Sequence, residues 1–268
     1  MSEDKLSEDI FNSSLVTVLN NSQYYQHSIR ILSLKKCSST QKMLIHWLEN
    51  YSKDINFIPV LHTPDQTSGV GQKDRVWKSD EGSLTFSFIL APQIIPTWTP
   101  LEMALLVRSF IQKKFTLSLQ LKWPNDLVDS QGKKYGGIIC HMRKNKVVIG
   151  IGLNVFNTYK MNEQNDDQYF PGYILENSKV IDLISVLHEL IEFICSHRYQ
   201  DAKDISTDWL TYCAHHKKNV CIKDNHQFTE GVFLGLGDFG EAKILDKSGA
   251  EIKVTNGSLT FDKSSNSN

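Results

Sequence analysis

The chain has 268 residues, 29 Lys+Arg against 30 Asp+Glu for a net charge of −1, and is 40% hydrophobic and 22% charged. This balance excludes bulk disorder, a polybasic nucleic-acid coat and a membrane-surface binder, and no apolar run reaches the about 18 residues of a membrane span. Five scattered cysteines (Cys37, Cys140, Cys195, Cys213, Cys221), with no CxxC pair, read as reduced thiols of a cytoplasmic protein.

Residues 1–25 are polar, with room for one short helix. Residues 27–34 read as a strand. Ser38, Ser39 and Thr40 then offer N-cap hydroxyls to a helix whose Met43, Leu44, Trp47 and Leu48 share a face. Residues 60–63 form a further strand. The segment 65–79, holding Gly69 and Gly71 and no apolar period, reads as a loop. Leu84, Phe86, Phe88 and Leu90 alternate with Ser83, Thr85, Ser87 and Ile89, the pattern of a half-buried strand. Residues 92–100 are a proline-punctuated connection, and 101–115 a helix burying Met103, Leu106, Val107 and Phe110. Three strands follow as a meander, 119–128, 134–142 and 146–155, with turn chemistry at 129–132 and 143–145. Residues 162–168 read as an acidic loop. Val180, Ile184, Leu187, Ile191 and Ile194 mark a long amphipathic helix, and 205–212 a shorter one. From residue 219 short strands alternate with turns: an all-β appendage of about 45 residues, too small to fold well alone and expected to dock elsewhere on the chain.

Several motifs carry little. Residues 235–240 spell GxGxxG, but no helix opens there, so a hairpin is the better reading. His188-Glu189 lacks the second histidine of HExxH, and Cys213, His215, His216, Cys221 and His226 fit no standard zinc spacing. No metal site is expected.

The stronger signal lies in the strands. Side chains two apart share a face. Lys134, Gly136, Ile138 and Cys140 share one; Gly150, Gly152 and Asn154 share another, opposite Ile149, Ile151, Leu153 and Val155; Ser83, Thr85 and Ser87 make a small polar face. Aligned, these faces form either a shallow floor for a flat ligand or a small-residue surface packed under a helix. Between Lys122 and Lys146 the chain has six cations against two anions, and Lys73, Arg75 and Lys78 precede them, which suits an anionic ligand. Arg143, Lys144 and Lys146 read as a solvated rim; Lys122 and Lys134 lie within strands.

Lys122-Trp123-Pro124-Asn125-Asp126, then Lys134-Tyr135-Gly136-Gly137-Ile138, then Gly150-Ile151-Gly152-Leu153-Asn154-Val155 resemble, in order and spacing, the signature of biotin protein ligases. The stretch from Gln66 to Trp77 resembles that family's glycine- and arginine-rich ligand loop, and Ser38-Ser39-Thr40-Gln41 its strand-to-helix turn. The resemblance implies an α+β fold: a mixed sheet flanked by helices, like class II aminoacyl-tRNA synthetases, with an SH3-like C-terminal barrel. It also implies an N-terminal extension over 1–27, a catalytic domain over 28–213 and the barrel with a tail over 214–268.

The implied activity is adenylation of biotin by ATP with Mg²⁺, followed by transfer of biotin to a lysine of a carboxylase's carrier domain. Lipoate or octanoyl ligation on the same fold is one alternative, and a non-catalytic biotin binder the other. By the match, Lys134 supplies the positive charge where carboxylate and phosphate meet, and Asn125 and Asp126 position phosphate, Mg²⁺ or the amine. Ser39, Thr40 and Gln66, with Gly69, Gly71, Gly136, Gly137 and Gly152, hold biotin. Gln72, Lys73, Arg75, Trp77, Lys122 and Asn154 line the nucleotide side, and loop 66–77 closes over the ligand. Metal enters only with the nucleotide. Val70 and Gln72 replace the loop's usual arginines, which implies a looser hold on the adenylate; Gln41 stands where asparagine is usual. Fewer than 30 residues precede the first strand, too few for a DNA-binding winged helix, so no nucleic-acid partner is expected. The expected molecule is a monomer or homodimer.

Overall fold

The structure is a computed structural model that describes residues 6–7, 10–13, 16–19, 28–51, 56–158, 171–176, 181–199, 201–224 and 227–261. The expected loop 162–168 and Val180 lie outside them. In chain order the elements are β1 (Val16–Leu19), β2 (Ser28–Ser33), β3 (Lys36–Cys37), α1 (Thr40–Asn50), β4 (Phe57–Thr63), β5 (Asp65–Gln66), β6 (Ser83–Leu90), α2 (Thr99–Phe115), β7 (Gln120–Lys122), β8 (Asp126–Val128), β9 (Lys134–Arg143), β10 (Lys146–Asn154), α3 (Leu183–Ser196), α4 (Ala202–Thr211) and β11–β15 (Asn219–Asp224, Gln227–Leu236, Ala242–Leu245, Glu251–Val254, Ser258–Phe261). They form two compact units, Met1–Pro92 with Lys133–Arg198, and Gln93–Gly132 with Tyr199–Asn268.

The first unit is built on a mixed sheet in the order β1-β2-β4-β6-β10-β9. Strands β2 and β4 run parallel and the other neighbours antiparallel. Helix α1 begins where Ser39 takes an extended conformation and its hydroxyl accepts from the Lys42 amide. Met43, Leu44, Trp47 and Leu48 then bury against Leu32, Leu61, Ile89 and Val148 of four strands. The N-terminal stretch is more than a polar extension. Leu6, Ile10 and Phe11 join this core, Phe11 sits edge-on to Trp47 at 4.8 Å, and β1 pairs with β2 at the sheet edge. Strand β6 differs from its sequence reading as well: all eight residues are buried, polar ones included, because helix α1 covers the face that alternation assigns to solvent.

The β9–β10 hairpin turns at Lys144 and Asn145, both with positive φ, as a two-residue hairpin of this hand requires. Its rim cations Arg143 and Lys144 are exposed, as expected, and they are also engaged. The Lys144 ammonium donates to the carbonyls of Leu48 (3.3 Å) and Glu49 (2.7 Å), and Arg143 pairs with Glu49 at 2.8 Å. Lys144 thus caps the C-terminal end of α1, where carbonyls lack helical partners and cations are favoured.

In the second unit the expected strand 119–128 is two short strands, β7 and β8, folded back on each other around Trp123-Pro124-Asn125. Helix α2 is buried on most sides, Glu102 and Arg108 included; Arg108 donates to the Leu119 carbonyl and lies 3.5 Å over the Tyr212 ring. The C-terminal strands form an antiparallel sheet, β14-β13-β12-β11-β15. The GxGxxG letters are its β12–β13 turn, closed by the Gly237 amide on the Glu241 carbonyl. That turn is docked within its own unit: Thr97 Oγ1, Trp98 Nε1 and Trp123 Nε1 donate to the carbonyls of Phe239, Asp238 and Gly240. His215, a residue of the discarded zinc set, is fully buried at 4.3 Å from the Phe233 ring, and burial pushes its pKa down to about 3. No helix among the described residues is long and apolar enough to cross a membrane.

Candidate functional site

Strand register decides which small residues share a face. Gly150 pairs with Ser87 and Ile139, and Gly152 with Thr85 and Gly137. On β4, Leu61 and Thr63 stand opposite Ser87 and Thr85. A small, largely polar floor therefore runs over four strands. Gly137 belongs to it; Gly136, which the sequence reading placed on the floor, pairs with Leu153 and faces the other side. Protein groups occupy both ends of this face. Helix α1 covers the Gly150 end, and a loop side chain lies against Gly152.

At the Gly150 end the polar groups are mutually paired. The Gln66 oxygen accepts from the Thr40 amide (2.9 Å) and the Thr40 hydroxyl (3.2 Å), and that hydroxyl also meets Ser87 Oγ at 2.9 Å. Thr85 Oγ1 donates to the Thr63 carbonyl. Gln41, one residue into the helix, reaches the floor itself. Its amide nitrogen donates to the Val148 carbonyl (2.9 Å) and contacts His141 Nδ1 at 3.0 Å. Since an amide nitrogen only donates, Nδ1 is the acceptor. Burial, then the nearby Arg143 charge, lowers the His141 pKa, which favours the neutral ring this contact needs. A Cβ on Gly150 would lie 2.6 Å from Gln41 Oε1.

The loop expected over 65–79 is a compact hairpin. Val70 and Val76 bridge, the Trp77 amide bonds the Gly69 carbonyl, and the Gly71 amide bonds the Arg75 carbonyl. Gln72–Asp74 makes the tip, with Lys73 at φ 53°. Gly69 is required there: a Cβ would sit 2.3 Å from the Trp77 carbonyl. The base is stitched to the α1 entry by bonds from Thr67 and Ser68 to the carbonyls of Cys37 and Ser38. Lys73 and Arg75 are exposed, whereas Trp77 turns inward; its ring carbons lie 2.4 Å from where a Gly152 Cβ would be. The Lys134 ammonium is 5.7 Å from the Trp77 ring centre. Asn154 donates from Nδ2 to the Lys134 carbonyl, which also accepts from the Gly172 amide. Asn154, expected on the nucleotide side, thus holds the backbone that carries Lys134.

Within the second unit, Lys122 and Asp126 face each other across the β7–β8 pair, and Asn125 is buried in the turn between them. Two residues of the floor escaped the sequence reading of the site. Gln41 was visible only as a variant letter, and His141 meets it from 100 residues away, beyond the reach of any local pattern.

Residues 38–155 match the model of the biotin/lipoate A/B protein ligase family. The chain is 31% identical over 269 residues to the bifunctional ligase/repressor BirA of Bacillus spizizenii, covering 91% of this chain and 76% of that one. It is 34% identical over 259 residues to BirA of Bacillus subtilis, covering 88% and 73%. Among solved structures, the biotin protein ligase from Aquifex aeolicus in complex with biotin and ATP superposes with a TM-score of 0.71 at 26% identity, over 89% of this chain and 100% of that one. Likeness in sequence and fold over most of both partners makes this chain a member of the biotin/lipoate A/B protein ligase family, among its biotin protein ligases.

Proposed function

We propose that the chain activates biotin with ATP and transfers it to a lysine of a biotin carboxyl-carrier domain. In the first step a biotin carboxylate oxygen attacks the α-phosphorus of the magnesium–ATP substrate. A P–O bond forms, the bond from the α-phosphorus to the bridging oxygen breaks, and pyrophosphate leaves. In the second step the neutral lysine amine attacks the acyl carbon of biotinyl-5′-adenylate, AMP leaves, and the amine sheds its proton.

The observation that carries this reading is the floor of Gly137, Gly150 and Gly152, with the Lys134 ammonium 5.7 Å from the ring of Trp77 that lies on it. Flat rings fit against glycine strands, and a fixed cation favours the approach of two anions. In this reading Ser39, Thr40 and Gln66 border the ureido end, Lys122, Asn125 and Asp126 serve the nucleotide, and hairpin 69–77 is the lid. Trp77 is the placeholder on the floor. Its Nε1 is buried without an acceptor among the described residues, which costs roughly 1–3 kcal/mol and favours its displacement by ligand rings. Gln72, at the lid tip where arginine is usual, weakens the hold on the adenylate.

We assign the five-stranded C-terminal sheet to the family's SH3-like appendage. A reducing, cytoplasmic setting accords with five free cysteines, of which burial pushes Cys195 and Cys213 up to about 12. The test is direct. The chain is mixed with ATP, Mg²⁺, biotin and a carrier domain, and the carrier is weighed by mass spectrometry. One biotinyl group on the carrier lysine, with pyrophosphate release, is expected. An unmodified carrier, or lipoyl addition in its place, refutes the proposal.

A further inference from the structure

In the second unit, the turn between β12 and β13 is held from within by one buried side chain, Glu241. Its Oε2 accepts from the Phe239 amide at 2.8 Å, and its Oε1 pairs with Lys253 of β14 at 3.3 Å. Gly237 makes the room: a Cβ there would lie 2.1 Å from Oε1 and 2.3 Å from the carboxylate carbon. The turn so held presents three consecutive carbonyls to its own unit. Asp238 O accepts from Trp98 Nε1 at 3.0 Å, Phe239 O from Thr97 Oγ1 at 2.6 Å, and Gly240 O from Trp123 Nε1 at 3.2 Å. Gly240 has φ +77°, and a Cβ on it would meet Leu101 at 2.8 Å, so only glycine aims its carbonyl this way. Trp123 is fully enclosed and leads into Pro124 and buried Asn125, the turn that joins β7 to β8. An indole N–H buried that deeply needs an acceptor. Its acceptor comes from 117 residues further along the chain.

We propose that Glu241 is a positioning residue for the nucleotide side of the site. It fixes the Gly240 carbonyl that orients Trp123, and through Trp123 the turn carrying Asn125 and Asp126. It touches no reactant. A carboxylate suits the task because its two oxygens take an amide and an ammonium at once, which closes the turn on both flanks. Alanine would leave the Phe239 amide to water and the turn free to open. This inference deepens the biotin-ligase reading and rests on it, since there Asn125 and Asp126 serve the nucleotide.

The test uses the full chain, with biotin-dependent pyrophosphate release measured against MgATP concentration. Rates are expressed per biotin-binding site, counted by calorimetry without nucleotide, so that a loss of folded protein cancels. In Glu241→Ala, kcat/KM for MgATP per site is expected to fall by about 10- to 100-fold, the scale of a misplaced catalytic group, while biotin affinity is unchanged. Glu241→Gln, which keeps an acceptor for the Phe239 amide, is expected to recover most of that loss. Trp123→Phe removes the indole donor; it should lower the same parameter and make a further Glu241→Ala silent. A folded Glu241→Ala chain with wild-type kcat/KM per site overturns the inference, and so does a full further loss in the Trp123→Phe background. Should Glu241→Ala fail to fold, Gly237→Ala decides. The Gly237 backbone lies outside the left-handed region, so the added methyl acts on the carboxylate alone; wild-type activity per site in that variant overturns the inference. A wild-type chain that releases no pyrophosphate with biotin overturns the functional reading itself.

Discussion

Alanine at position 152 places a methyl carbon 2.4 Å from two ring carbons of Trp77 and 2.8 Å from its Nε1. Carbon atoms rest at about 3.5–4.0 Å, so the indole must retreat by roughly 1 Å or more. In a closed core such overpacking costs about 1–3 kcal/mol. Trp77, however, is only half-buried and sits on a hairpin. Its retreat returns a buried N–H to water, a gain of about 1–3 kcal/mol, and the Gly→Ala change adds about 0.4–1 kcal/mol through the unfolded chain. These terms offset, so stability stays within about 1 kcal/mol and the Tm within about 4 °C. On the proposed reading the ligand has no such exit, because its rings would lie where the methyl stands. Biotin affinity is expected to fall by about 10- to 100-fold. Calorimetry, thermal unfolding and tryptophan emission together check this, with Trp77→Phe used to subtract the other tryptophans. The expected pattern is weak biotin binding, an unmoved Tm and Trp77 emission shifted to the red before any ligand is added. A large fall in Tm with unchanged Trp77 emission would show the indole locked in place, and would refute the placeholder reasoning.

Three further outcomes follow from the site and the core. Lys134→Ala should cut biotin-dependent pyrophosphate release by about 10²–10³-fold, the usual effect of removing one group aimed at developing charge; release at the wild-type rate means the charge lies elsewhere. Gln72→Arg should slow escape of biotinyl-adenylate in a filter-retention assay by about tenfold, from one added charge-assisted hydrogen bond; an unchanged escape rate refutes the looser-hold reading. His62 is buried, and burial alone lowers its pKa from 6.5 to about 4, so the native chain binds fewer protons than the unfolded chain between those values. Its contribution is therefore complete above about pH 6.5 and fades as pH falls toward 4, by roughly 3 kcal/mol. Urea midpoints at pH 7 and pH 4.5 should show a smaller acid loss in His62→Leu, with the share due to buried His215 remaining; equal losses in both chains would show that His62 is not the group titrating.

Long periodic elements were legible in the sequence because one face decides them. Met43, Leu44, Trp47 and Leu48 marked α1, and the alternation along β10 marked a strand buried on one side by bulk and on the other by glycine. The misreadings share a different cause, which is partners remote in sequence. Strand β6 alternates as if half-exposed, but Thr40 and the rest of α1 bury its polar face. The rim cations are exposed as read, but Lys144 also caps a helix almost a hundred residues earlier, and Arg143 pairs with its Glu49. Phe11 lies in a stretch too polar to suggest a core, yet its ring is the edge-on partner of Trp47. The split of residues 119–128 into two strands turns on Pro124 and Asn125, read in the sequence as part of a functional motif when they also make a turn. At the site, motif letters located the glycines. Only register separates Gly137, on the floor, from Gly136, behind it.

Glycines inside strands are costly, about 0.5–1 kcal/mol each relative to alanine, and the floor carries three. In this chain two of the three niches are filled by its own side chains, and the fillings differ in kind. Gln41 enters the Gly150 niche with both amide hydrogens bonded to fixed acceptors, on a helix anchored at its first turn by Gln66 and Ser87 and at its last by Lys144. Trp77 enters the Gly152 niche from a hairpin whose tip is exposed, and its ring nitrogen has no acceptor among the described residues. On the proposed reading, a ligand competing for the floor would meet one side chain that holds and one that gives way. It would displace Trp77, whose N–H regains water, and would stop against the better-anchored Gln41. On that reading the asymmetry would give the floor a direction, with the polar head group toward α1 and the carboxylate toward Lys134, whose charge would serve adenylation.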